Sequence, residues 1–290
     1  GSHLFWSYNG GIVKRCNGDT PTSVAGGPSR AQNWQILYDR ANARIFVAYD
    51  PTGAADPTFM IASFSGAPGA EVWDTSIGTT LATGGTTGCM ALVPDGAVNA
   101  GSVLAGWSLD SDPGNFNPLA RWTGAAWVNE YQTPADAVCP KMMAVYGSTV
   151  VACMLVTSNS AAFQNMPILL QRDAATGVWS DLGDPSWNVA SRRQVSWAAT
   201  FGDDLYVSFR TYVSTGTPGA RTEIWKRTSG GAWSLDLDLV AEGTGATNFP
   251  SMLVEIGGVL FCGLRSVQTG YYLVKTSATG VWARRTVAES

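Results

Sequence analysis

The chain has 290 residues, with 33 Gly, 12 Trp, 45% hydrophobic and only 14% charged side chains, and a formal net charge of −4. This balance fits a turn-rich folded protein and excludes a disordered or fibrous one, while the acidic charge argues against a broad nucleic-acid footprint. No apolar run approaches the roughly 20 residues that a membrane helix needs, so membrane insertion is not expected.

Gly1-Ser2-His3 reads as the remnant of a cleaved affinity tag. His3 is the single histidine, so a Ser-His-Asp triad and histidine metal sites lack their key residue, and neither metal nor cofactor is expected. Leu4-Phe-Trp-Ser-Tyr-Asn9 then opens a strand-like phrase that recurs along the chain. It returns as Ile45-Phe-Val-Ala-Tyr-Asp50, Val103-Leu-Ala-Gly-Trp-Ser108, Val150-Val-Ala-Cys-Met-Leu155, Leu205-Tyr-Val-Ser-Phe-Arg210 and Leu260-Phe-Cys-Gly-Leu-Arg265. Its fourth column is always small (Ser7, Ala48, Gly106, Cys153, Ser208, Gly263) and its fifth always large (Tyr8, Tyr49, Trp107, Met154, Phe209, Leu264). Both alternating faces of the phrase are apolar, as expected of a strand covered on two sides by neighbouring sheets.

From the second unit onward an apolar strand and a tight turn precede each phrase, as in Arg193-Gln-Val-Ser-Trp-Ala-Ala-Thr200 followed by Gly202-Asp-Asp. A variable loop and a third strand follow, such as Ile168-Leu-Leu-Gln-Arg172 or Tyr272-Leu-Val-Lys275. A second short turn then leads into a tryptophan that opens a fourth strand: Trp73, Trp127, Trp179, Trp233 and Trp282. Antiparallel strands joined by Gly-rich turns, four per unit of about 40–50 residues, are the grammar of propeller blades. The expected fold is an all-β propeller, one domain over 1–290, with six blades of four antiparallel strands at approximately 4–29, 30–76, 77–132, 133–184, 185–240 and 241–290. The first blade begins at its second strand and is short or rearranged; a five-bladed ring is the alternative.

Third strands carry a basic residue near their end (Arg15, Arg121, Arg172, Arg227, Lys275). Because Lys and Arg seldom bury without partners, these read as a solvated blade rim. Of the five cysteines, Cys16, Cys89, Cys139, Cys153 and Cys262, none forms a Cys-x-x-Cys pair. Buried free thiols are expected, with a Cys89–Cys139 disulfide as the alternative.

The third-strand segment Leu169-Leu-Gln-Arg-Asp-Ala-Ala-Thr-Gly-Val-Trp179, together with Leu205-Tyr-Val, resembles the kelch repeat at the level of blade architecture. The paired glycines that close the kelch second strand are replaced by pairs such as Tyr49-Asp50 and Phe209-Arg210. What the resemblance implies is a propeller; it carries over no site residue.

Connection lengths single out one face. Loops between second and third strands, and those leading to the next blade, are longer than the tight turns, and in an up-and-down blade both emerge on the same side. Binding residues concentrate on such scaffold-supported loops. Residues ending the phrase (Asn9, Asp50, Ser108, Arg210, Arg265) and entering the first strands (Asn33, Asp136, Arg192, Arg193, Asn248) belong to that face. The ligand-binding candidates are Asp50, Asp136, Arg192, Arg193, Arg210, Arg265, Trp187 and Tyr212. Converging arginines clamp a carboxylate or phosphate bidentately, and loop aromatics stack on sugar faces. The same charges also fit ordinary ion pairs rimming a channel. Leu109-Asp-Ser-Asp-Pro-Gly-Asn-Phe-Asn117 lacks EF-hand spacing and reads as an Asx-stabilised turn.

Two functions fit. The first is a non-enzymatic recognition module whose long-loop face binds a glycan or a protein, as in lectins, cell-surface proteins and virion or tail receptor-binding proteins; this places it, by analogy alone, outside the cell or on a virion, with neighbouring domains expected in a longer native chain. The alternative is a sialidase-like glycoside hydrolase at the channel mouth, although the Asp-box spacing is not met at Asp173 to Trp179.

Overall fold

The computed structural model describes residues 4–8, 12–16, 21–24, 26–28, 30–39, 41–51, 58–67, 70–77, 82–83, 87–108, 118–132, 138–156, 166–183, 192–212, 220–240, 249–265 and 271–286, and their regular structure is entirely β. Two compact units form, Gly1–Lys141 with Ala174–Val178, and Met142–Asp173 with Trp179–Ser290.

In the first unit β1 (Leu4–Tyr8), β2 (Ile12–Cys16) and β3 (Pro21–Ser23) make a three-stranded sheet in that order. The second sheet runs β4 (Arg30–Asp39), β5 (Arg44–Pro51), β6 (Thr58–Ser65) and β7 (Val72–Asp74), with the short β8 (Ala82–Thr83) paired to β6. The third contains β9 (Thr87–Leu92), β10 (Val103–Ser108), β11 (Pro118–Trp122) and β12 (Trp127–Gln132). The fourth is β13 (Val138–Tyr146), whose residues up to Lys141 belong to the first unit, then β14 (Thr149–Val156), β15 (Met166–Arg172) and β16 (Trp179–Asp181).

The second unit adds two further sheets. One runs β17 (Arg192–Phe201), β18 (Asp204–Tyr212), β19 (Ala220–Arg227) and β20 (Trp233–Val240). The other runs β21 (Phe249–Ile256), β22 (Val259–Arg265), β23 (Tyr271–Lys275) and β24 (Ala283–Thr286). Among the described residues every pairing is antiparallel, and all join sequence neighbours apart from the short β8 on β6. The fold is therefore the all-β propeller type, but with five four-stranded blades and not six. The first phrase, Leu4–Tyr8, is an edge strand rather than the second strand of its sheet, so among the described residues that sheet has no counterpart of the others' first strand.

The repeated phrase does what its alternation requires. On β5, Phe46 and Ala48 enter a core with Met90, Val103 and Trp107 of the next blade. Its other face sends Ile45, Val47 and Tyr49 against Val13, Val24 and Phe64. On β18, Leu205, Val207 and Phe209 join Met142, Val151 and Leu169, while Tyr206 joins Leu260, Cys262 and Leu273. Each fully buried large side chain contributes about 1.5–3 kcal/mol, so the phrase supplies much of each inter-blade core. The small fourth column marks close approach: a Cβ on Gly106 lies 2.7 Å from the Pro140 Cβ and 2.8 Å from Leu119 Cδ2.

The tryptophan column has a role that its spacing did not reveal. The Trp127 indole N–H donates to the Ile77 carbonyl at 2.7 Å, Trp233 to the Gly183 carbonyl at 3.2 Å, and Trp282 to Asp236 Oδ2 at 2.7 Å. Trp73 instead lies against Gly27, whose φ of +85° and missing Cβ make room for the ring, with the Arg30 guanidinium 4.7 Å from the ring centroid. Each of these four rings reaches the sheet or connection that precedes its own blade.

Two members of the basic column, Arg172 and Lys275, are buried and form no solvated rim. Arg172 is 1% exposed and Lys275 2%, because partners wait inside: Lys275 Nζ donates to Asp236 Oδ1 at 3.0 Å and to the Gly280 carbonyl. Arg121 pairs with Glu130 at 2.7 Å, and the Thr149 hydroxyl donates to the Arg172 carbonyl. Lys275 and Arg121 lose water here because each meets a carboxylate.

Cys89, Cys153 and Cys262 are free and buried, which removes the Cys89–Cys139 disulfide. Burial pushes the Cys89 and Cys262 thiols from 9.0 up to about 12, for Cys89 against weaker opposing effects of Gly106 and the Lys141 charge. Both folded values lie above the unfolded ones, so the stabilisation from a neutral thiol is complete below about pH 9 and lost as the pH rises towards 12. Thiol titration of the native protein at pH 8 is expected to leave these three unreactive until denaturant is added; rapid native labelling of Cys89 or Cys262 would contradict their burial.

Candidate functional site

The register of the blade formed by β17 to β20 gathers four of the eight sequence candidates at one end. Arg192 pairs with Tyr212, Arg193 with Thr211 and Gln194 with Arg210 across β17 and β18. Across β18 and β19, Thr222 pairs with Arg210 and Arg221 with Thr211. Arg221 was not among the sequence candidates; only the β19 register brings it into the cross-strand row of Arg193, with Thr211 between them. On the neighbouring blade Arg265 closes β22 opposite Phe249.

Alternation along β18 sends its core side chains to two faces. Tyr206 enters the core shared with β21 to β23, whereas Val207 and Phe209 enter the core shared with β13 to β15. On β22, Leu260 and Cys262 enter the same core as Tyr206. The register sets Arg192, Arg193, Arg210 and Arg221 at one end of the β17–β20 sheet, and Arg265 at the end of β22.

Two carboxylates occupy the Phe209 face: Glu223 pairs with Phe209 across β18–β19 and with Asp238 across β19–β20. Glu223 is 5% exposed, and its Oε2 accepts the Trp225 indole N–H at 2.9 Å. This is the facing acidic pair that the register creates on this blade, and it lies on the two outer strands.

Asp50 belongs to β5 in the first unit, opposite Gln32. It is 9% exposed and engaged by its neighbours, hence part of the blade interior. Asp136, Trp187 and the 109–117 loop lie outside the described residues. Among the described residues no group of His, Cys, Asp and Glu is arranged to hold a metal ion.

Two features escaped the sequence reading. The first strands bulge between Val195 and Trp197 and between Pro250 and Met252, and the residue after each bulge is exposed, Trp197 by 39% and Met252 by 41%. Ser208 stabilises the first bulge: its hydroxyl accepts the Trp197 N–H at 3.1 Å and donates to the Trp197 carbonyl at 3.2 Å. An extra residue in one strand re-aims those that follow, and strict alternation in the sequence hides it. The second feature is an open cleft of about 570 Å³ at the Phe201 end of β17, away from Arg192, lined by Thr200, Phe201, Glu255, Gly258, Ser277 and Ala278. Tyr206 Oη and Lys226 Nζ, both donating to the Ala278 carbonyl at 3.4 Å, hold one wall of it. Burial, and then the Asp236 and Asp204 charges, raise the Tyr206 phenol well above its ordinary value, which keeps that donor protonated.

No family model matches the chain and no curated protein matches it in sequence, so the kelch pattern gains no support in particular. Solved structures do match in fold. The GH74 xyloglucanase from Xanthomonas campestris superposes with a TM-score of 0.63 at 14% identity, over 99% of this chain but 43% of the enzyme. TolB from Acinetobacter baumannii gives 0.56 at 11% identity, covering 99% and 64% of the two chains. The Aleuria aurantia lectin, in complex with α-methyl-L-fucoside, gives 0.54 at 11% identity over 98% of this chain and 93% of the lectin. The chain thus spans less than half the length of the xyloglucanase, and at these identities the likeness is one of fold.

Proposed function

We propose that the protein is a non-enzymatic recognition propeller that binds a glycan through the long-loop end of its blades. The observation that carries this reading is the gathering of Arg192, Arg193, Arg210, Arg221 and Tyr212 at the end of the β17–β20 blade where β18 and β19 are joined by residues 213–219. At the opposite end, β17 and β18 are joined by Gly202-Asp203 alone. Cationic and aromatic groups on a rigid sheet beside a long connection are the chemistry that sugar hydroxyls and acidic substituents require. The fold likeness to a lectin and to a glycoside hydrolase supports a saccharide ligand by analogy.

Glycan-array screening is expected to give hits that Arg210→Ala weakens at least tenfold while the melting temperature stays within about 2 °C of the parent. Protein ligands on the same face form the competing reading, and an array without hits alongside a bound protein partner would establish it. Turnover of aryl-glycoside or sialoside substrates would replace the binding reading with that of a hydrolase.

A further inference from the structure

The cleft at the Phe201 end of β17 lies wholly within the second unit. It is walled by the end of β17 and its turn (Thr200 to Gly202), by Glu255 and Gly258 around the β21–β22 turn, and by the β23–β24 turn (Thr276 to Ala278). At about 570 Å³ it falls in the ordinary size range of ligand clefts. Its walls are tied down from behind. The Thr200 hydroxyl donates to the Val145 carbonyl at 2.6 Å, the Gly258 N–H to Glu255 Oε1 at 2.6 Å, and the Gly280 N–H to the Ser277 carbonyl at 3.0 Å. Each of these bonds spends a donor on the protein itself, whereas the Thr200 oxygen and Glu255 Oε2 keep their acceptor capacity. The charges are unequal as well. Lys226, on the Ala278 wall, is paired with Asp204 at 3.8 Å, but Glu255 makes no ion pair among the described residues. Phe201, packed on Tyr206 with ring centroids 6.0 Å apart, supplies an apolar wall.

Independently of the glycan reading, we propose that this cleft binds a primary ammonium carried on an unbranched alkyl stem, as in a lysine side chain or a free diamine, with Glu255 as its counter-ion. An ammonium has three donors and no acceptor, which suits one open carboxylate oxygen beside the hydroxyl-bearing side chains of Thr200, Thr276 and Ser277. A guanidinium is best matched by both oxygens of a carboxylate, and Glu255 Oε1 is already committed to the Gly258 N–H. The stem of such a ligand gains apolar cover from Phe201 and Ala278.

The test is an NMR titration of the intact, 15N-labelled protein with acetyl-Gly-Lys-Gly-amide, with the same peptide carrying norleucine or arginine for lysine, and with 1,5-diaminopentane. The lysine peptide is expected to shift the amide signals of Gly202, Gly258 and Ser277, and the norleucine peptide to leave them in place. Glu255→Gln, which keeps an oxygen for the Gly258 N–H, is expected to weaken binding about tenfold or more. Asp203→Asn, on the adjoining turn but outside the lining, should weaken it less than about threefold. Affinity should fall as salt is added; that measurement and the norleucine peptide, both made on the parent protein, decide the matter if Glu255→Gln fails to fold. Tighter binding of the lysine peptide than of the diamine assigns the ammonium to a displayed side chain, and the reverse order to a free polyamine. Tighter binding of the arginine peptide would overturn the assignment to an ammonium. Binding of the norleucine peptide as tight as that of lysine, indifference to Glu255→Gln or to salt, shifts spread over the whole surface, or no shifts at all would overturn the site. None of these outcomes bears on the glycan reading, which concerns the opposite end of β17.

Discussion

Gly106→Val is expected to cost the protein about 3 kcal/mol of stability, read as a lower denaturation midpoint at unchanged slope. The reason lies in the packing between sheets. Any side chain at this position starts with a Cβ 2.7 Å from the Pro140 Cβ and 2.8 Å from Leu119 Cδ2, distances inside van der Waals contact. The proline ring cannot rotate away, and Leu119 is itself fully buried. Gly106→Ala isolates the steric component. A strand glycine normally gains about 0.5–1 kcal/mol on conversion to alanine, so a net loss from Gly106→Ala shows that the clash outweighs the entropy. Unchanged stability of the valine variant would mean that the blades stand further apart than described.

Asp236→Ala should be comparably damaging, about 3–5 kcal/mol, because it strips the partner from a lysine that is only 2% exposed. Lys275 Nζ lies 3.0 Å from Asp236 Oδ1 and 5.9 Å from the centroids of the Tyr206 and Trp282 rings. No solvent is at hand to take over the charge. The same substitution orphans the Trp282 indole N–H, which now donates to Oδ2. Replacing both charges, Asp236→Leu with Lys275→Met, is expected to recover most of the loss, since an apolar pair of similar volume often matches a buried ion pair. Urea denaturation of the two single variants and the double variant gives the coupling. Losses that simply add would show that Lys275 does not depend on Asp236.

Blade grammar was legible in the sequence because strand alternation and the Gly-rich turns are local signals. Phe46, Val47 and Ala48 announce a strand buried on both faces, and Gly202 announces its turn. What stayed hidden is set by register and by distant partners. The exposed Trp197 follows a bulge that no local pattern shows. Lys275 reads as a rim residue until Asp236, 39 positions earlier, is known to face it. Arg210 stands apart from Arg192 and Arg193 along the chain until the β17–β18 register brings them to one end of their sheet, while Arg265 closes β22 of the next. Arg221 became visible only through the pairing of β19.

The tryptophan contacts run in one direction along the chain. Trp127 reaches Ile77, Trp233 reaches Gly183, Trp282 reaches Asp236 and Trp73 meets Gly27; in every case the receiving residue is made first. As the polypeptide leaves the ribosome, each of these four clasps finds its catch already synthesised. A nascent propeller of this kind can latch each new blade onto the one before it, limiting the time that an open sheet face is exposed to aggregation.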